Sequence, residues 1–190
     1  MNSKTLLLSI LALLAAAAPA RGSESEPERS DSVLFLEFGS GMSEGPISGA
    51  PTRGKVLLAA FLWTPLKSRD WLVLRFAGGA RSDLDALAGN FSAVLAAGPA
   101  VRARVKPFYL TIQPAGIAWF SSPPLFTDSF GTLRVKGTRL QIETRVSLGI
   151  EAEQVTAGLT YSHYSSGGRG EIEAAQGQNY VGFEIGWRWK

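Results

Sequence analysis

Residues 179–190 alternate between apolar and polar or small side chains. In an extended strand Val181, Phe183, Ile185, Trp187 and Trp189 share one face, and Tyr180, Gly182, Glu184, Gly186 and Arg188 share the other. Residues 137–150 repeat the pattern, with Leu140, Ile142, Val146, Leu148 and Ile150 opposite Arg139, Gln141, Glu143, Arg145 and Ser147. From Val33 onward such period-two segments recur, separated by turn residues, with almost nothing at the helical period. The predicted strands are 33–42, 55–65, 71–80, 91–102, 107–120, 137–150, 154–164 and 179–190. Segment 55–65 is apolar on both faces, and Gly and Ala dilute 71–80 and 91–102, so these three are less sharply two-sided.

The connections alternate in length. Residues 66–70, 103–106 and 151–153 are short links, whereas 43–54, 81–90, 121–136 and 165–178 are long and rich in Gly, Pro, Ser and charge. Short turns at one end and long loops at the other predict an all-β fold, an eight-stranded antiparallel up-and-down transmembrane barrel of the bacterial outer membrane. An even number of strands puts both termini on the short-turn side, the periplasm. The apolar faces then meet lipid, while Glu37, Arg75, Glu143, Arg145, Glu184 and Arg188 fill a lumen only wide enough for side chains, with no pore. A soluble lipocalin-like barrel would bury the apolar face instead. Trp187 and Trp189 toward one end, with Tyr161 and Tyr164 toward the other, favour the membrane reading as interfacial aromatics.

The start of the chain agrees with export. Lys4 precedes an apolar run from Leu6 to Ala18, and Ala18-Pro19-Ala20 has the small-x-small form of a cleavage site, so 1–20 is expected to be a signal peptide. The run is short for a membrane anchor. Residues 21–32 are polar and rich in Ser and Glu, a flexible leader ahead of the barrel at 33–190. The chain has no cysteine, so no disulfide framework, and with one histidine a zinc site is practically excluded. A net charge of +3 is too small for a nucleic-acid argument, and no phosphate-binding loop or internal repeat is present. No cofactor is expected. The oligomeric state stays open, a homodimer among the options.

The candidate chemistry lies near the end of strand 154–164. His163 is the single histidine, and Ser165 follows it on the same face. Both continue the lipid-facing stripe of Val155, Ala157, Leu159 and Tyr161, where the strand meets a long loop. A base beside a hydroxyl is the minimal arrangement for nucleophilic catalysis. Two readings stand at this point: a catalytic pair, or a histidine at headgroup depth with an ordinary serine after it.

The segment His163-Tyr164-Ser165-Ser166-Gly167-Gly168 followed by Gly177-Gln178-Asn179 resembles the signature of the lipid A 3-O-deacylase (PagL) family, a His-x-Ser-Asn pattern with Gly-x-Glu or Gly-x-Asn after a loop. Leu36-Glu-Phe-Gly39, Pro107-Phe-Tyr-Leu110, Ala115-Gly-Ile-Ala118 and Leu148-Gly-Ile150 look like corresponding barrel segments. The resemblance implies a cofactor-independent ester hydrolase of the outer membrane acting on lipopolysaccharide. Ser165 would be its nucleophile and His163 its general base. Where the family has asparagine after the serine this chain has Ser166, so Ser166 and the Gly167 and Gly168 amides are the expected oxyanion donors. The family's characterised enzymes orient the histidine with glutamate. Here Asn179 matches that position, and Glu173 or Glu171 in the loop are alternatives. A non-catalytic small barrel with an envelope-integrity or adhesion role is the competing reading.

Other polar residues fall in the long loops. Asp83, Asp85 and Asp128 suit a cation or a loop brace but read more simply as solvated. Arg53, Lys55, Arg81 and Arg134 are expected at the extracellular rim, where they would meet anionic lipid phosphates.

Overall fold

The computed structural model describes residues 32–42, 49–50, 54–65, 71–82, 91–122, 125–127, 133–135, 138–165 and 177–189. The expected signal peptide and residues 21–31 lie outside this set; Ser32 already belongs to the first strand. Eight long strands form the barrel: β1 Ser32–Gly41, β2 Lys55–Trp63, β3 Leu72–Ser82, β4 Phe91–Val105, β5 Phe108–Phe120, β6 Leu140–Glu151, β7 Val155–Ser165 and β8 Gly177–Trp189. Each pairs antiparallel with the next, and β8 returns to β1 in a register that sets Phe35 opposite Gly186 and Phe38 opposite Phe183. The chain is thus a closed up-and-down barrel without sheet edges, which in lipid leaves no strand with unpaired backbone groups.

The two faces sort as the alternation requires. Leu36, Leu57, Phe76, Leu95, Ile117, Leu148, Leu159 and Phe183, one from each strand, project outward and are exposed. Buried inside are Glu37, Arg75, Glu143, Arg145 and Glu184. An apolar exterior around a charged interior inverts a soluble barrel and fits one whose solvent is lipid.

Interior charges are paired rather than isolated. The Arg75 guanidinium reaches Glu37 at 2.7 Å and Glu143 at 2.8 Å, and Arg145 reaches Glu37 at 3.1 Å and Glu184 at 2.8 Å. Tyr109 donates to Glu184 at 2.7 Å and Gln113 to Glu143 at 3.0 Å. A second cluster on the short-turn side gathers Arg102, Arg104 and Arg188 around Glu151. On the long-loop side Tyr164 meets Phe120 and Tyr180 edge-on at 5.5 and 5.8 Å.

Four expectations change. Tyr164 is not an interfacial aromatic: it is an even-numbered, inward residue of β7, buried, and it donates to Glu143 at 3.0 Å. Exposed aromatics near the two ends include Trp63, Trp71, Phe108 and Trp187 on the short-turn side and Phe91 and Trp119 on the long-loop side. Arg81 lies inside the barrel, fully buried, its guanidinium 3.9 Å from the Phe120 ring centroid. Finally, two regions depart from simple pairing. Register shifts interrupt β4 against β5 between Ala97 and Val101, and β5 against β6 between Gln113 and Gly116. Gly98 and Gly116 meet there so closely that a Cβ on Gly98 would stand 2.6 Å from the Gly116 Cα, a backbone approach only glycine allows. The long loops also carry short pieces the alternation did not predict. Gly49–Ala50 runs parallel to Gly177–Gln178, and Leu125–Thr127 pairs with Leu133–Val135.

Candidate active site

The long-loop end of the β7–β8 hairpin is fastened from inside the barrel. On β7, Ser162 accepts from Arg145 at 3.0 Å, and Tyr164 is held by Glu143 and its two aromatic neighbours. On β8, Tyr180 points inward, and Gln178 accepts from Arg81 Nη1 at 3.1 Å. With residues on both sides of them committed to the interior, His163 and Asn179 must project to the outer face. The strand register sets them directly opposite one another, with Thr144 of β6 on the other flank of His163.

Asn179 Oδ1 lies 2.8 Å from His163 Nδ1 and 2.5 Å from the Tyr161 hydroxyl. A carbonyl oxygen only accepts, so Nδ1 carries the proton and Nε2 is the basic nitrogen of the neutral ring. Although on the outer face, His163 is only 6% exposed and Asn179 is fully buried. Burial keeps water from competing for these bonds and strengthens them. The partner of the imidazole is an amide, so orientation comes without negative charge.

Gly177 accounts for where the ring sits. A Cβ on Gly177 would be 2.0 Å from His163 Cε1 and 2.5 Å from Nε2. The imidazole therefore lies over a bare backbone that any other residue would obstruct. The ring thus faces Gly177 with its Cε1–Nε2 edge while Nδ1 stays on Asn179. The β7–β8 register runs as far as Tyr164 opposite Gln178. Ser165 itself is half-buried, the last residue of β7.

The structure therefore brings together His163, Asn179 and Gly177, with Ser165 one pleat further along the same face. Ser166, Gly167, Gly168, Glu171 and Glu173 lie outside the described residues, as do Asp83, Asp85, Asp128, Arg53 and the Arg134 side chain. Lys55 is exposed at the long-loop end of β2. Tyr161 and Gln178 are the participants that sequence reasoning gave no role in the site. Tyr161 was discoverable in principle, since a residue two before His163 on the same face is diagonal to Asn179 and within reach of a long side chain. The grip on Gln178 was not, because it needs the lumen position of Arg81.

Among curated proteins, none matches the chain. Among solved structures, the outer membrane enzyme PagL superposes with a TM-score of 0.53 at 17% identity, covering 80% of this chain and 97% of that one. The Yersinia pestis outer membrane protein Ail gives a TM-score of 0.45 at 13% identity, over 85% of this chain and all of that one. The first likeness concerns the fold. The family model of the lipid A 3-O-deacylases (PagL) matches residues 56–188, a span running from β2 through the His163 strand and Asn179 almost to the end of the last strand. An outward imidazole held over Gly177 at the loop end of an apolar-skinned barrel thus stands inside a continuous sequence match, and the chain belongs to the lipid A 3-O-deacylase (PagL) family.

Proposed function

We propose that this protein is a lipid A 3-O-deacylase of the bacterial outer membrane, with both termini in the periplasm, and that it uses Ser165 as nucleophile and His163 as general base. The observation that carries the reading is the 2.8 Å contact between Asn179 and His163 Nδ1 with the ring laid over Gly177. It leaves Nε2 as the basic nitrogen, and Ser165 follows one pleat further along the same face. Family membership supplies the substrate class.

The chemistry follows from these groups. Ser165 Oγ attacks the carbonyl of the ester that joins a 3-hydroxyacyl chain to the 3 position of glucosamine, and its proton passes to His163 Nε2. Asn179 keeps the imidazolium oriented through Nδ1–H. When the C–O bond to the sugar breaks, Nε2 returns the proton to the departing hydroxyl, leaving an acyl-serine. Water then adds to the acyl carbon, giving its proton to Nε2, and a 3-hydroxy fatty acid leaves as the serine is restored. Ser166 and the Gly167 amide are assigned to the oxyanion. A site on the outer face suits a substrate whose ester bonds lie just beneath the headgroups of the outer leaflet. The acyl chain stays in lipid while it is cut.

The test is mass spectrometry of lipid A from cells expressing the wild type, His163→Ala or Ser165→Ala. The expected result is loss of one 3-hydroxyacyl group with the wild type and none with either inserted variant. Unmodified lipid A in all three would overturn the reading and favour the non-catalytic barrel. The replacement of the usual glutamate by an amide is the feature that keeps that alternative in view.

A further inference from the structure

Asn179 differs from a carboxylate in one respect that matters for an imidazole: its two ends are not equivalent. With Oδ1 toward His163 the ring proton sits on Nδ1 and Nε2 is basic. With the amide turned over, Nδ2 would donate to Nδ1, the ring proton would move to Nε2, and the histidine would be unable to accept a proton from serine. Something must select the first arrangement. An imidazole alone does not, because it adapts its tautomer to either.

We infer that Tyr161 is a positioning residue that selects it: its hydroxyl locks the Asn179 amide with Oδ1 toward His163, and so fixes the tautomer that the proposed base requires. The inference rests on the reading of His163 as base. Two observations carry it. The Tyr161 to Asn179 separation is 2.5 Å, which lies within the range for O–H···O and below that for N–H···O, so the amide end facing the phenol is the oxygen. A phenol is also a better donor than acceptor, since its oxygen lone pairs are delocalised into the ring, and a turned amide would ask it to accept. Oδ1 has two lone pairs, and Tyr161 and His163 Nδ1–H occupy both. All three side chains stand on the outer face of the same hairpin, Tyr161 one pleat toward the membrane centre from His163. The phenol thus supplies part of what a negative charge supplies elsewhere, namely a fixed direction for the imidazole.

Because His163 is the single histidine, its nitrogens can be read without assignment. The chain is labelled with 15N-histidine, folded into detergent micelles, verified by heat-modifiable mobility and measured well above the pH at which the ring protonates. The wild type is expected to show a protonated Nδ1 and an unprotonated Nε2. Tyr161→Phe keeps the ring and removes the hydroxyl. It is expected to shift the population toward protonated Nε2 and to lower kcat about tenfold, the size of one lost hydrogen bond, with KM unchanged. In an Asn179→Asp background the carboxylate has two equivalent oxygens, so adding Tyr161→Phe is expected to change kcat less than twofold.

A wild-type ring protonated on Nε2 would overturn the inference. So would identical nitrogen shifts in folded wild type and Tyr161→Phe, or an equal loss of kcat in both backgrounds. If Tyr161→Phe does not insert, the wild-type tautomer decides. Absence of any His163-dependent deacylation would count against the hydrolase reading, whereas the nitrogen shifts test the tautomer lock separately.

Discussion

His163 and Gly177 are in contact through the absence of a side chain: the imidazole occupies the space in which a Cβ of residue 177 would stand, 2.0 Å from Cε1. Gly177→Ala must therefore displace the ring from this seat. A displacement of about 1 Å can cost on the order of 100-fold in rate. The expected outcome is a barrel of normal heat-modifiable mobility whose lipid A deacylation, followed by mass spectrometry, falls by about that factor.

Asn179 orients the imidazole but cannot stabilise it electrostatically once it is charged. Asn179→Ala is expected to reduce the deacylation rate by about 100-fold or more, given that losing the correct tautomer in a serine protease triad costs about 10,000-fold. Asn179→Asp adds the missing charge with little change of shape and is expected to raise the rate above that of the wild type. Initial rates on purified lipopolysaccharide in detergent would decide both; an unchanged rate in Asn179→Ala would remove this residue from the mechanism.

The lumen makes a separate prediction about stability. Arg75 bridges Glu37 and Glu143 at 2.7 and 2.8 Å and is almost fully buried. Arg75→Met leaves Glu143 without its guanidinium partner and Glu37 with Arg145 alone. Breaking a buried pair from one side costs about 3–5 kcal/mol. Urea unfolding in lipid vesicles should show a lower midpoint of that order. Equal midpoints would mean that the remaining arginine compensates.

The outer face predicts a different sensitivity. Leu159 is 69% exposed in the middle of β7, beside Phe183 and Leu148. Leu159→Arg is expected to destabilise the barrel by about 2–4 kcal/mol in a bilayer, as for a cation at the midplane. The comparison variant is Lys55→Arg, at the exposed loop end of β2, where no measurable loss is expected. If both variants unfold at the same urea concentration, Leu159 does not face lipid.

Much of this molecule could be read from its sequence because a two-sided wall between lipid and a charged lumen writes itself as alternation. Strands such as β6 and β8 carry that signal at nearly every position, and all eight strands lie within a few residues of their expected bounds. The signal weakens where both faces are apolar. In β2 the inward Val56, Leu58, Ala60 and Leu62 are buried and apolar, and the charges of that part of the lumen come from the flanking strands, with Glu37 opposite Leu58 and Arg75 opposite Leu62. It fails at the shifts near Pro99 and Pro114, where local backbone shape, not hydrophobicity, sets the pairing. Arg81 shows a related limit. Composition places an arginine beside a long loop at the rim, and only the positions of Phe120 and Gln178 reveal the aromatic face and amide that draw it inside. At the site, the opposition of His163 and Asn179 followed from parity and alignment. The part played by Gly177 did not, because a space left empty has no residue pattern of its own.

His163 stands on the last strand but one and Asn179 on the last, and that last strand is also the one that closes against β1. The chain acquires its oriented imidazole only when its final segment has been added to the wall. A nascent or truncated polypeptide that stops short of Gly177 carries the histidine and the serine but not the amide that aligns them. On the proposed mechanism, ester cleavage would be tied to completion of assembly, and a half-built copy in transit would be chemically silent.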